Sequence, residues 1–316
     1  MEQALYHPEH GYYSSDRAAI GRSGDYFTNV SVGPLFGELL AAQVAEIWER
    51  LGKIKNFVIA EQGAHHGEFA RDVFESAQRR FPGFFAVLRY EIVEPFPKLQ
   101  DRQSRTLQQF RDRVRWRKSL DEIEPFVGIH FSNELLDSMP INLWRKVIDL
   151  AGDEFILVDS PDQLPTNHSQ LNWIANVAAK MERGFVLAID YGFSRVEFRE
   201  VVQVRAQHRH FNSPFEQIGE ADITAHINWT DIAEAAERNG LRVGGFTDQH
   251  HFLSGIISTF PDIVAGEKSK RALQTLLHPE MLGRAFQVLA LTKDVDLAEP
   301  LCGFKFARNA RETLGL

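Results

Sequence analysis

Apolar and polar residues follow two periods along this chain, and the points where one gives way to the other set its elements. Phe36, Leu39, Leu40, Val44, Ile47 and Trp48 recur at helical spacing, which predicts an amphipathic helix from Pro34 to Leu51. Phe57–Glu61 is a short apolar run ending on a carboxylate, the pattern of a buried strand, and a helix is expected over 68–80. The same succession recurs as a strand at Tyr90–Glu94 and a helix at Phe96–Gln109, followed by an apolar strand at Gly128–Ser132. A helix at Gln170–Glu182 feeds a strand at Phe185–Asp190, and Asp231–Asn239 is a helix that Gly240 stops as a C-terminal cap. Strands at Arg242–Phe246 and Phe286–Leu291, with a helical stretch between them, close the pattern. The glycine- and aromatic-rich start, Leu5 to Thr28, is expected to be irregular, and Glu200–Val204 to be extended before a polar loop.

Strands alternating with helices predict an α/β fold, a mainly parallel and doubly wound sheet. Leu143–Asp149 and Glu154–Val158 flank Ala151-Gly152-Asp153, a hairpin signal that reads as an insertion, with Pro161–Pro165 as a loop. The expected organisation is one domain over 1–316, with 1–50 covering the substrate and cofactor, and insertions at 141–170 and 196–230 forming a substrate-side subdomain.

In open parallel sheets ligands gather at the carboxyl ends of the strands, and this chain places polar residues at four of them. They are Glu61-Gln62-Gly63, Glu94, Asn133-Glu134 and Asp190-Tyr191-Gly192. Gly63 and Gly67 would let backbone pass close under a ligand. The turn after Phe57–Glu61 suggests an adenosine-containing cofactor, and Glu94 could accept hydrogen bonds from two ribose hydroxyls. Each carboxylate alone reads equally as a helix cap or a solvated loop residue; the convergence is what points to a site. Asn133 and Glu134 could position a nucleophile, while Asp137 reads as a helix cap or as part of the site.

The 12 histidines include His65, His66, His208, His210, His226, His250 and His251, and one of them would suit a catalytic base. No His-Glu-x-x-His spacing occurs, so no metal is expected. Neither a Gly-x-Ser-x-Gly elbow nor a Walker loop is present, which removes serine hydrolase and P-loop chemistry. A formal charge of -8 argues against general nucleic-acid binding, and the single cysteine, Cys302, excludes an internal disulfide. The first residues lack signal-peptide order, and no apolar run approaches the roughly 18–20 residues that span a bilayer. A soluble, cytoplasmic protein without a membrane partner is expected. The sequence carries no signature of oligomeric state, and a homodimer is compatible with it.

Six segments, in order, resemble the MidA family of class I S-adenosylmethionine-dependent methyltransferases, which includes a mitochondrial complex I assembly factor. They are Leu5-Tyr6-His7-Pro8-Glu9-His10-Gly11-Tyr12-Tyr13, Gly24-Asp25-Tyr26-Phe27-Thr28, Phe36-Gly37-Glu38-Leu39, Asn133 to Pro140, Asp190-Tyr191-Gly192, and Asp222 to Asn228. The resemblance implies a seven-stranded, Rossmann-like methyltransferase sheet whose last strand is antiparallel. It implies S-adenosyl-L-methionine held by Gly24, Asp25 and Thr28, by the turn with Glu61, Gly63 and Gly67, and by Glu94 and Asn133. It further implies a protein substrate, with an arginine nitrogen as acceptor by analogy. On that reading Glu134 orients the acceptor beside Asn133, and His208 or His226 takes its proton.

Two departures stand out. The family's glycine turn reads roughly Glu-x-Gly-x-Gly-x-Gly, and His65 replaces its middle glycine; the family's Gly-Thr-Leu stretch is also missing at Glu200–Arg205. Both leave open a rival reading, a methyltransferase fold that has lost catalysis and serves as an assembly factor or chaperone. A nicotinamide-dependent dehydrogenase is the weaker third reading, since the Gly-x-Gly-x-x-Gly fingerprint is absent.

Overall fold

The computed structural model describes residues 1–14, 28–142, 146–152, 154–159, 167–197, 202–206, 209–211, 213–266 and 269–316. Among the described residues the main sheet has eight strands, seven of them side by side: β1 (Phe57–Gln62), β2 (Leu88–Val93), β3 (Val114–Arg117), β4 (Phe126–Asn133), β5 (Met181–Phe193), β6 (Arg242–Asp248) and β7 (Phe286–Lys293), with the short Ile227–Asn228 pairing with β5 off that path. They lie in the order β3-β2-β1-β4-β5-β7-β6. β1 pairs in parallel with β2 and β4, as β2 does with β3 and β4 with β5. β7 runs antiparallel to both of its neighbours, β5 and β6, inside the sheet. The expected doubly wound sheet with an antiparallel last strand is therefore the observed one. The chain reverses its direction across the sheet between β1 and β4, which opens a crevice at their carboxyl ends.

Period-two alternation explains why both faces are covered. Phe57 and Ile59 of β1 belong to a core under the helices Leu35–Arg50, Glu68–Arg80 and Gln249–Thr259. Val58 and Ala60 face the opposite core, under the helices His168–Lys180 and Trp229–Arg238.

The structure differs from the sequence pattern in several elements. β3 is a half-exposed edge strand, Val-Arg-Trp-Arg, whose arginines suit an edge but hide the apolar alternation. A short helix, Pro82–Val87, precedes β2, and the helix expected over Phe96–Gln109 stops at Thr106 before a 3-10 segment, Gln108–Arg113. The irregular start contains a helix, Glu2–Tyr6. The expected hairpin exists as Lys146–Ala151 paired with Glu154–Asp159, Leu150 opposite Phe155. The proposed loop at Pro161–Pro165 lies outside the described residues.

The extended segment expected over Glu200–Val204 is found as the strand Val202–Ala206; the largest difference is that the polar loop after it supplies Arg209–Phe211 and Asp222–Ala225 to one small antiparallel sheet. Val204, Ala206 and Ile223 pack on Ala4, Leu5 and Tyr12 from the start of the chain. Register places Arg205 opposite Asp222 and Gln203 opposite Thr224, so these four side chains share the other face.

Candidate active site

β1 ends at Gln62 and the chain turns through Gly63, whose φ is +83°. A Cβ at Gly63 would stand 3.4 Å from the Leu135 side chain, so a glycine suits both the backbone and the space. The Gly67 N–H closes the turn on the Ala64 carbonyl at 2.7 Å, and Gly67 then precedes the helix Glu68–Arg80 in a left-handed conformation. His65 is also left-handed, at φ 45°, a conformation uncommon for any residue but glycine, though His, like Asn and Asp, enters it more readily than most.

A cleft of about 810 Å³ opens over this turn, between the ends of β1, β2 and β4. Glu61, Gly63, Glu94, Asn133, Glu134 and Thr28 all line it, as do both histidines of the turn. Gly67 does not: it packs beneath the turn against Gln103 and Leu107. The His65 ring stacks on His66 at a centroid distance of 3.7 Å, and the cleft persists around it. Gly24, Asp25 and His208 lie outside the described residues.

The carboxyls in the cleft are held from behind. Glu61 Oε2 accepts a 2.7 Å hydrogen bond from the Tyr90 hydroxyl, and burial pushes the Glu61 pKa up to about 8. Glu94 accepts from the Phe96 N–H at 3.0 Å and from Gln103 Nε2 at 3.1 Å; burial raises it to about 7. Gln103 is fully buried and gathers three parts of the site. Its Nε2 also donates to the His65 carbonyl at 2.9 Å, and its Oε1 accepts from Trp116 Nε1 at 3.0 Å. The cofactor turn and the β2 carboxyl are thus tied through one side chain that the sequence pattern did not reveal. Its signal was a single buried residue on an otherwise solvated helix, Pro97–Thr106.

At the end of β4 the backbone turns left-handed at Glu134, with φ 54°. Such conformations cost energy in a non-glycine residue and cluster at functional sites. Glu134 Oε1 accepts from Asn133 Nδ2 at 2.7 Å and from the Asn29 N–H at 3.2 Å, while Asn29 Nδ2 donates to Asn133 Oδ1 at 2.9 Å. Burial pushes the Glu134 carboxyl up to about 8. Asp190 does not point to ligand: its carboxylate caps this loop, accepting from the N–H groups of Leu136 (2.8 Å), Asp137 (3.2 Å) and Tyr191 (2.8 Å). Gly192 has a packing reason, since a Cβ there would lie 2.3 Å from the Ile227 carbonyl. The fourth strand end of the expected site, Asp190-Tyr191-Gly192, therefore supports the loop that carries Glu134.

A second cavity, of about 60 Å³, shares Tyr13 and Glu134 with the first and extends to His226. His226 lies on the rim of the small sheet, away from the cofactor cleft, and its Nδ1 is buried without a partner. Ligand atoms of His65, His66 and Glu68 lie within 4.8 Å of one another, a grouping that motif spacing did not reveal. Arg102 Nη1 stands 3.1 Å from His66 Nε2 and can only donate there, placing a cation where a metal would need that lone pair.

A crevice at the switch point of this sheet, walled by a buried acidic residue at the ends of β1 and β2, defines a class I methyltransferase. Residues 39–163 and 158–247 match the family described as "Putative S-adenosyl-L-methionine-dependent methyltransferase", and the chain belongs to that family. A Burkholderia thailandensis protein crystallised with S-adenosyl-homocysteine superposes with a TM-score of 0.83 at 27% identity, covering 96% of this chain and 88% of that one. A native crystal structure of a superfamily protein from the same organism gives 0.81 at 26%, over 96% and 88%. Among curated relatives, the Drosophila melanogaster homologue of the mitochondrial protein arginine methyltransferase NDUFAF7 is 24% identical over 96% of this chain and 84% of its own. Human NDUFAF7 is 22% identical over 99% and 82%. The MidA resemblance holds, and S-adenosyl-L-methionine is the cofactor of this methyltransferase. Among the described residues no helix is long and apolar enough to cross a membrane.

Proposed function

We propose that this enzyme methylates a nitrogen of a protein side chain, with arginine as the acceptor, the class named for its NDUFAF7 relatives. The observation that carries the reading is Glu134, a buried carboxyl held left-handed at the boundary between the cofactor cleft and a second cavity. Glu94 is the acceptor for the ribose hydroxyls. Gly63 and the adjoining backbone pass under the cofactor, Glu61 braces the turn through Tyr90, and Asn133 fixes the Glu134 carboxylate. Thr28 lines the cleft beside the ligand, and Gly24 and Asp25 are assigned to the cofactor by the family resemblance alone.

S-adenosyl-L-methionine supplies an activated methyl: its carbon–sulfur bond breaks as the nitrogen–carbon bond forms, and the electron pair stays on sulfur. The protein's task is orientation and proton removal, because a guanidinium is protonated at any physiological pH. Glu134 orients the nitrogen and takes its proton, with His226 or His208 as the onward acceptor. Positioned acid–base groups contribute about 10²–10⁴-fold. The Glu134→Gln variant should therefore bind S-adenosyl-homocysteine as the parent does, by calorimetry, while transfer of labelled methyl to arginine-containing peptides falls by about 100-fold or more. Full transfer activity in that variant removes Glu134 from the mechanism.

A further inference from the structure

The second cavity has a composition that the cofactor does not explain. One wall is the loop after β4 and the end of β5, with Glu134, Asp137 and Tyr191; the other is the polar face of the small sheet, with Gln203, Arg205 and Asp222. We infer that this cavity is the subsite for the acceptor's guanidinium, and that Asp222 and Gln203 of the small sheet are its recognition residues. The inference rests on the arginine reading above and names where that acceptor binds.

Position is the first argument. Tyr13 and Glu134 line both cavities, so a group held in the smaller one sits against the wall of the cofactor cleft. Charge is the second. Three carboxyls, those of Glu134, Asp137 and Asp222, face one guanidinium, Arg205, around about 60 Å³, a space suited to a planar cation and far too small for a nucleoside. A guanidinium entering beside them favours their ionised forms and matches carboxylates through paired N–H donors. Burial first, and then Asp190, Asp222 and Glu134, raises the Asp137 pKa, so an arriving guanidinium meets carboxyls that ionise as it binds.

The third argument is that the protein alone does not satisfy this wall. Arg205 Nε and His226 Nδ1 are buried without a hydrogen-bond partner, and buried polar atoms are rarely left so. A peptide acceptor brings carbonyl oxygens as well as the guanidinium, and those oxygens can accept from these two nitrogens. The Tyr13 hydroxyl donates to Asp222 Oδ1 at 2.7 Å and fixes that carboxyl at the edge shared with the cleft.

The test uses the full chain loaded with S-adenosyl-homocysteine and titrated with methylguanidinium and, separately, methylammonium, read by NMR shifts. Methylguanidinium should bind at least tenfold more tightly than methylammonium. Asp222→Asn should weaken it by about tenfold or more, the scale of a charge-assisted hydrogen bond, and leave the affinity for S-adenosyl-homocysteine unchanged. Gln203→Ala, which keeps all three carboxyls, should weaken it to a lesser degree and keeps the test decisive if Asp222→Asn does not fold. Methylguanidinium binding that neither variant alters, or no preference over methylammonium, overturns the subsite. A parallel assay of labelled methyl on peptides separates the two levels of the argument. Arginine methylation with cavity-independent methylguanidinium binding sinks the subsite alone, whereas methyl found only on other residues sinks the arginine reading and the guanidinium assignment with it.

Discussion

At the scale of single residues, His65 is a left-handed side chain in the turn beneath the cleft. A side chain in the left-handed region costs about 1–2 kcal/mol, and glycine there gives back about 0.5–1 kcal/mol through its looser unfolded chain. His65→Gly should therefore raise stability by about 0.5–1 kcal/mol in urea unfolding, unless the stack on His66 outweighs the relief; a lower midpoint would show that it does. Burial, with His66 and Arg102 nearby, pulls the His65 pKa down to about 3, so the ring in the cleft is neutral. Gln103 makes the opposite case, an ordinary residue with three partners. Gln103→Ala leaves the His65 carbonyl and the Glu94 carboxyl short of a buried donor, at about 1–3 kcal/mol, and should weaken S-adenosyl-homocysteine binding by calorimetry. Unchanged affinity would make Gln103 a packing residue only. Glu61, Gly63, Glu94 and Glu134 were legible from sequence because strand ends announce themselves by a polar residue after an apolar run. Gln103 was not, since its role depends on which helix face meets the sheet.

At the scale of elements, the glycine of Asp190-Tyr191-Gly192 is decided by a crossing. The segment Ile227–Asn228 runs beside Gly192 and Phe193, and a Cβ on Gly192 would also approach Trp229 Nε1 at 2.8 Å. Overpacking of this kind typically costs about 1–3 kcal/mol, so Gly192→Ala should lower the unfolding midpoint while S-adenosyl-homocysteine affinity stays near that of the parent. A parent-like midpoint would contradict the close approach. The six strands with strong apolar runs were readable, and β3 was not, because arginines occupy alternate positions on an edge. Of the small sheet only the first strand was readable, as an extended segment; the other two are short and half polar, so their alternation resembles a loop. The hairpin was readable because its turn residues stand between two apolar runs.

For the whole molecule, the buried carboxyls set a pH dependence of stability. Burial raises Glu61 and Glu134 to about 8, and Glu94 and Asp190 to about 7, against about 4 in an unfolded chain. The folded state therefore holds more protons than the unfolded state in this range, and stability falls as pH rises through the folded values. His65 and His130, both lowered to about 3, act oppositely: their contribution grows as pH rises to about 6.5 and is constant above it. The fall should thus be clearest between about pH 6.5 and 8 in the protein without ligand. Glu61→Gln should flatten it, measured as unfolding free energy against pH, and an unchanged slope would show that Glu61 ionises freely in the native state.

The underside of the small sheet rests on Ala4, Leu5 and Tyr12. The acceptor wall proposed above therefore leans on the first turns of the chain, whereas Glu61 and Glu94 stand at the ends of central strands. Loosening that support, as in Leu5→Ala, should cost methylguanidinium binding more than S-adenosyl-homocysteine affinity in paired titrations.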